Sequence, residues 1–288
     1  MIYDFFIRIL AGFIPNAEKR RNFRSKNMLK EREKKFENLS QNVIDATARY
    51  FYMNKMNLAA SRLHPETFGK YKNAFAGRDV VLVAGGGSVK NFKPIKNAIY
   101  VGVNRAYKYD KIKLDYLFIS DYRGFQDIDD IDKLPYDVEK FYGILPHDML
   151  RDGDRSIFIP ESIALRHGAH RFYMKDNADR NIPIEDLTIT YDISTFPLMC
   201  FSSIVTPAMQ FILWGNPRRI YLVGCDCNLE PHFYNNKKST LYLPGIMDGW
   251  QKIRDFAHDY YPETEIISVN PVGLKGMFKD LYQKKDKK

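Results

Sequence analysis

The chain has 288 residues, 45% of them hydrophobic and 27% charged, with a net charge of +9; this excludes a disordered or collagen-like chain and allows a sizeable core in one or two domains. The basic excess lies at the ends, because residues 1–40 hold ten Lys/Arg against five Asp/Glu and residues 275–288 hold six Lys against two Asp, leaving residues 41–274 neutral overall. A neutral body argues against a nucleic-acid enzyme, whereas basic ends suit an anionic membrane surface or serve as solubilising tails.

Ile2, Phe5, Phe6, Ile9, Leu10 and Phe13 recur at helical spacing and form an apolar stripe that Pro15 ends. The basic run from Lys19 to Arg24 follows. An aromatic face beside a basic cluster is the pattern of a helix lying in a membrane surface. No apolar run reaches the roughly 20 residues of a spanning helix, and Met1–Ile14, with Asp4 and Arg8, lacks the layout of a secretion signal. Residues 28–62 read as a long, mostly polar helix that leads into the body.

The body opens at Asp79-Val80-Val81-Leu82-Val83-Ala84-Gly85-Gly86-Gly87-Ser88. Its unbroken apolar run reads as a strand buried on both faces of a parallel sheet. The glycine turn after it can bring bare N–H groups to a phosphate, or can simply be a tight strand-to-helix turn. Gly85-x-Gly87 lacks the third glycine of a dinucleotide fingerprint, since Lys90 stands there, and no P-loop lysine follows. Residues 98–103 predict a second strand ending at Asn104, and residues 114–119 a third ending at Ser120-Asp121. Both end in small polar residues where an α/β crevice would open.

Residues 126–134 alternate Asp and Ile, which predicts a solvated acidic loop rather than a metal site. Residues 156–159 predict a strand. His167 and His170, three apart, could share a helix face, but without a third ligand they read as structural. Ser202-Ser203 stand before an apolar run, residues 204–214, that predicts a helix stopped at Gly215-Asn216-Pro217. Two hydroxyls and free helix N–H groups there make a second candidate anion site. Residues 220–223 predict another strand, closed by Gly224-Cys225-Asp226. Cys225-x-Cys227 has no second pair and, with Cys200, gives neither zinc spacing nor a disulfide framework, which fits a reducing compartment. Asn228 to Asn236 predict a mobile loop or lid over the crevice, in which His232 is the candidate general base. A helix over 246–260, a strand over 265–269 and a short basic tail helix over 271–282 complete the chain.

The glycine turn, the strand ending at Asn104 and the Ser-Ser helix followed by Ile220-Tyr221-Leu222-Val223-Gly224-Cys225-Asp226 resemble the bacterial lipooligosaccharide sialyltransferases, glycosyltransferase family forty-two, and the wider clan around them. The resemblance spans roughly residues 78–272 and rests on order and spacing. It implies a Rossmann-like, mostly parallel α/β sheet flanked by helices. It also implies a nucleotide sugar held by Gly85, Gly87, Ser88, Asn104, Ser202 and Ser203, with Asp226 matching a family Asp. Gly86, where the family has Asn, Asn228, where it has tyrosines, and Ser120 at the end of the third strand complete the candidate nucleotide site. The donor would be a CMP-activated acidic sugar and the acceptor a glycan or glycolipid, with no metal and no further cofactor. The family's histidine base lies before the next-to-last helix, where this chain reads Tyr242-Leu243-Pro244-Gly245-Ile246. His232 is therefore the first choice for base and Asp121 the second. The expected organisation is a helical, basic, membrane-associating arm over 1–74, a catalytic domain over 75–274 and a basic tail over 275–288. The protein would sit on the cytoplasmic face of the membrane, with no nucleic-acid partner and with a homo-oligomer left open. Alternatives are a nucleotide-dependent pyrophosphokinase or phosphotransferase, or a non-catalytic envelope-assembly subunit.

Overall fold

The computed structural model describes residues 7, 9–11, 13–120, 127–144, 158–176, 188–236, 238 and 242–283. The chain divides into two units, Met1–Asn54 and Lys55–Lys288, so the body begins well before the expected residue 75. In the first unit the chain breaks at Ile14-Pro15, and Asn16 then caps a long helix. Its Oδ1 accepts the N–H groups of Glu18 and Lys19, each at 3.0 Å, which satisfies two of the donors every helix start leaves open. Helix α1 runs without interruption over Ala17–Phe68, so the basic run belongs to it. Of the expected apolar stripe, Ile2, Phe5 and Phe6 lie outside the described residues, while Ile9, Leu10 and Phe13 are exposed. Among the described residues no helix is long and apolar enough to cross a membrane.

The second unit is built on nine parallel strands: β1 (Asp79–Val83), β2 (Ile99–Val103), β3 (Tyr116–Ile119), β4 (Glu139–Ile144), β5 (His170–Asp176), β6 (Leu198–Cys200), β7 (Arg219–Val223), β8 (Glu265–Val269) and β9 (Lys279–Leu281). Their order across the sheet is β6-β5-β4-β3-β2-β1-β7-β8-β9, and every pairing is parallel. This is the Rossmann-like α/β class that the apolar runs predict. Strand β1 is central, with Val81 opposite Tyr100 on one side and Tyr221 on the other, and Val80 to Val83 are wholly buried.

Alternation of side chains gives the sheet two cores. On one face Leu82, Val101, Phe118, Phe141 and Phe172 meet the end of α1, helix α3 (Val205–Trp214) and helix α4 (Leu243–Tyr260). Phe211 of α3 anchors this layer, with ring centroids 5.0–5.4 Å from Tyr71, Phe75, Tyr116, Phe118 and Phe141. On the other face Val81, Val83, Leu117, Ile119 and Tyr142 are covered by short 3-10 turns at 87–91, 104–108 and 128–133 and by the brief helix α2 (Glu161–Arg166). Parallel strands need crossovers that cover the sheet, and on this side tight turns do that work.

Several expectations are corrected. Strands β4, β5 and β6 occupy stretches without a strand signal, and the tail forms edge strand β9 instead of a helix. Of residues 156–159, Ser156 and Ile157 lie outside the described residues and Phe158 makes only a bridge. The acidic stretch is a 3-10 turn with each described carboxylate paired. Asp127 meets Arg105 and Lys108, Asp129 meets Arg166, Asp130 meets Lys133, and Asp132 meets Lys140. His167 is buried between Asp129 and Tyr142, whereas His170 starts β5 and pairs with Glu139 at 2.8 Å. They share no helix face.

Candidate functional site

The strand order reverses between β1 and β7. At such a switch point the two neighbouring connections leave in opposite directions and open a crevice beyond the carboxyl ends of the strands. A crevice of about 120 Å³ lies there. It is lined by Gly85 and Gly86 after β1, Asn104 after β2, Ser203 before α3, Asp226 and Asn228 after β7, and His232 and Tyr234 from the following loop. Ile246 and Trp250 of α4 give it an apolar wall, and Glu230 a further carboxylate.

Local backbone geometry builds this rim. Left-handed φ angles fall at Asn104 (+49°), Ser202 (+53°), Gly224 (+68°) and Cys227 (+45°), at or just beyond strand ends. Asparagine and glycine tolerate that region, while a serine or cysteine there is strained. Gly224 needs its φ, and a Cβ on it would stand 2.6 Å from the Ala84 carbonyl oxygen. The Gly86 N–H donates to the Gly224 carbonyl at 2.8 Å, which laces the two turns together.

The glycine turn is not an empty phosphate nest. The Asp226 carboxylate accepts the Ser88 N–H at 2.9 Å, and the Ser88 hydroxyl donates to its other oxygen. Of the donors expected to hold a phosphate, the Ser88 N–H and hydroxyl are thus taken by the Asp226 carboxylate and the Gly86 N–H by the Gly224 carbonyl. Neither Ser88 nor Gly87 is among the residues lining the crevice. Ser120 is buried against Gly143, and Ser202 also lies off the lining. Asp121 lies outside the described residues. The remaining predicted residues, Gly85, Gly86, Asn104, Ser203, Asp226, Asn228 and His232, converge on one space.

Within that space three features carry chemistry. Asn104 Oδ1 is buried without a hydrogen-bond partner, a costly state that a ligand N–H or O–H would relieve. Helix α3 begins at the rim with Ile204 as its N-cap, and Ser203 Oγ accepts the Val205 N–H at 3.3 Å. The partial positive charge of that terminus is directed at the crevice. His232 Nδ1 lies 3.2 Å from the Gly85 carbonyl. A carbonyl can only accept, so Nδ1 carries the proton in the neutral ring and Nε2 keeps a free lone pair.

The stretch expected as a mobile loop or lid packs against the glycine turn and lines the crevice. Phe233 N–H donates to the Gly85 carbonyl at 3.0 Å, and the His232 ring stacks on Tyr234 with centroids 5.2 Å apart. Behind Tyr234 sits Arg105, 5.8 Å from the ring centroid and bound at 2.7 Å to Asp127, whose carboxyl is held well below the usual range by Arg105 and Lys108 against the opposing effect of burial. Burial raises the Tyr234 hydroxyl. It also pushes the Cys227 thiol up to about 12 and Cys225 well above its ordinary value. Both thiols thus stay protonated, unsuited to nucleophilic or metal-binding work. Among the described residues no His/Cys/Asp/Glu group has metal-site geometry. Tyr234, Glu230 and Trp250 were not singled out from sequence; the loop's aromatic run and the Ile246/Trp250 spacing of one helical turn were the available signals.

No protein-family model matches this chain, and no curated protein matches it significantly.

Proposed function

We propose that the protein is a nucleotide-sugar-dependent glycosyltransferase that moves an acidic, sialic-acid-like sugar from a CMP donor to a surface glycan or lipid-linked acceptor. The observation that supports this best is the convergence of an unpartnered Asn104 Oδ1, the α3 N-terminus with Ser203, and His232 on one crevice at the switch point. Asn104 and the apolar wall of Ile246 and Trp250 take the nucleoside, whose amino and hydroxyl groups donate to the buried oxygen. With the Ser88 turn already holding Asp226, the donor phosphate goes to the α3 terminus. His232 Nε2 removes the acceptor hydroxyl proton as that oxygen bonds to the anomeric carbon. The bond from that carbon to the phosphate oxygen breaks, and the CMP that leaves is stabilised by the Ser203 hydroxyl and the partial positive charge of the α3 N-terminus, whose first-turn N–H groups already have partners. No step in this scheme requires a divalent ion. The exposed apolar residues Ile9, Leu10 and Phe13, next to the basic start of α1, would hold the protein peripherally on the inner membrane face.

The test is CMP release from CMP-sugars, with and without EDTA. Release that persists in EDTA and falls at least a hundredfold in His232→Gln and about tenfold or more in Asn104→Ala is expected. No release from any nucleotide sugar, with or without metal, overturns the reading. Turnover of ATP with magnesium instead moves it to a phosphotransferase.

A further inference from the structure

Helix α1 carries an apolar seam on its own surface. Leu29, Phe36, Val43 and Tyr50 recur every seven residues, and Leu39, Ala46 and Met53 fall three further on. These are the a and d positions of a heptad repeat sustained over more than three heptads. Leu29, Phe36, Leu39, Val43 and Tyr50 are all exposed, Phe36 to 70%. Ile44 and Phe51 widen the face at one end. A helix of this length with an open apolar seam gains little from its own propensity and needs a partner to bury it.

We propose that residues 29–53 of α1 pair with the same segment of a second copy as an antiparallel two-stranded coiled coil. The direction follows from charge. Residues 17–35 hold nine Lys/Arg and three Glu, net +6, while residues 36–54 hold one Arg and two acids, net −1. Parallel pairing would set +6 against +6. Antiparallel pairing sets each basic half against a weakly acidic one, the electrostatic selection that orients coiled coils. The one charged d position agrees. With Leu39 facing the partner's Val43, Phe36 meets the partner's Ala46, Leu29 meets the partner's Met53, and Arg32 meets the partner's Tyr50. Large packs on small, and the guanidinium lies on a ring instead of facing another Arg32. The seam runs roughly 37 Å at 1.5 Å per residue. This inference is independent of the crevice and its chemistry.

The test uses the full chain. Sedimentation at micromolar concentration should give twice the chain mass, and Leu39→Glu with Val43→Glu should give a monomer whose Lys55–Lys288 body still unfolds cooperatively, because neither side chain belongs to that unit. Under oxidation, Phe36→Cys with Ala46→Cys should cross-link two chains while Phe36→Cys alone should not, since the two copies of residue 36 stand about ten residues apart along the axis. A monomeric wild-type chain, a dimer that survives the double glutamate change, or cross-linking by Phe36→Cys alone overturns the proposal. So does a chain that stays monomeric while the glutamate pair abolishes its binding to anionic phospholipid vesicles, which would make the seam a lipid-binding face.

Discussion

A methyl group has no place at Gly86, where a Cβ would stand 2.4 Å from Asp226 Cγ and 2.5 Å from the Gly224 carbonyl oxygen. The contact atoms are a pinned carboxylate and backbone, so neither can give easily. Gly86→Ala should cost about 1–3 kcal/mol, read by urea unfolding, and should detach Asp226 from Ser88. A variant as stable as wild type would mean that the carboxylate is not seated in the turn. His64 is a second residue with a readable consequence. Its Nδ1–H is shared by the Ile193 and Phe196 carbonyls at 2.9 and 3.0 Å, and Nε2 accepts the Tyr173 N–H at 2.9 Å. The ring is thus neutral, and burial, outweighing those carbonyls, lowers its pKa to about 4 from 6.5. Between those values the unfolded chain binds the proton and the folded one does not. The stabilisation is therefore complete above pH 6.5 and is lost as pH falls toward 4, by at most about 3 kcal/mol. Unfolding free energies from pH 7 to pH 4 check this, and a flat profile would contradict a neutral buried His64.

Sheet edges are where elements need help, and β6 receives it from one side chain. Gln210 Nε2 donates to the Met199 carbonyl at 2.7 Å, and its Oε1 accepts the N–H groups of Met199 and Thr190, each at 3.1 Å. The amide stands where a tenth strand would, and it ties β6 to α3. Gln210→Leu keeps the volume and strands three backbone groups, so it should cost about 3 kcal/mol or more in urea unfolding; a loss under about 1 kcal/mol would mean that water replaces the amide. The same contrast between centre and edge explains what was legible. Strands β1, β2, β7 and β8 are covered on both faces and read as apolar runs. Strand β5 reads His-Arg-Phe-Tyr-Met-Lys-Asp, because its polar groups find partners from elsewhere, such as Lys175 with Asn57 Oδ1 at 2.9 Å. Strands β6 and β9 are three residues each, too short to show a period. The crevice was half legible for a related reason. Glycine turns and strand-end residues announce themselves locally, but the seating of Asp226 on Ser88 joins positions 138 residues apart.

Over the whole molecule, the division between arm and body falls inside a single helix, and composition could not mark it. The polar character of α1 continues past Asn54, yet from there onward single residues turn inward. Met56, Ala60, His64 and Phe68 are all wholly buried at a spacing of four, one face of a helix. Phe68 is packed between Phe141, Phe172 and Phe211, and Trp214 Nε1 donates to its carbonyl at 3.1 Å. The last turns of α1 are thus a layer of the body's core that lies early in sequence. Truncation separates the two descriptions. A chain of residues 55–288 should unfold cooperatively with a melting temperature within a few degrees of the full chain, since its core is intact. A chain of residues 75–288, cut at the boundary that composition suggests, loses His64 and also Phe68 and Tyr71, two of the rings packed on Phe211. Truncating one such aromatic alone costs about 3–5 kcal/mol, and total stability is on the order of 5–15 kcal/mol, so removing the group should leave no cooperative transition by calorimetry. If 75–288 melts like 55–288, the end of α1 is a passenger on the sheet and the body begins where its first strand does.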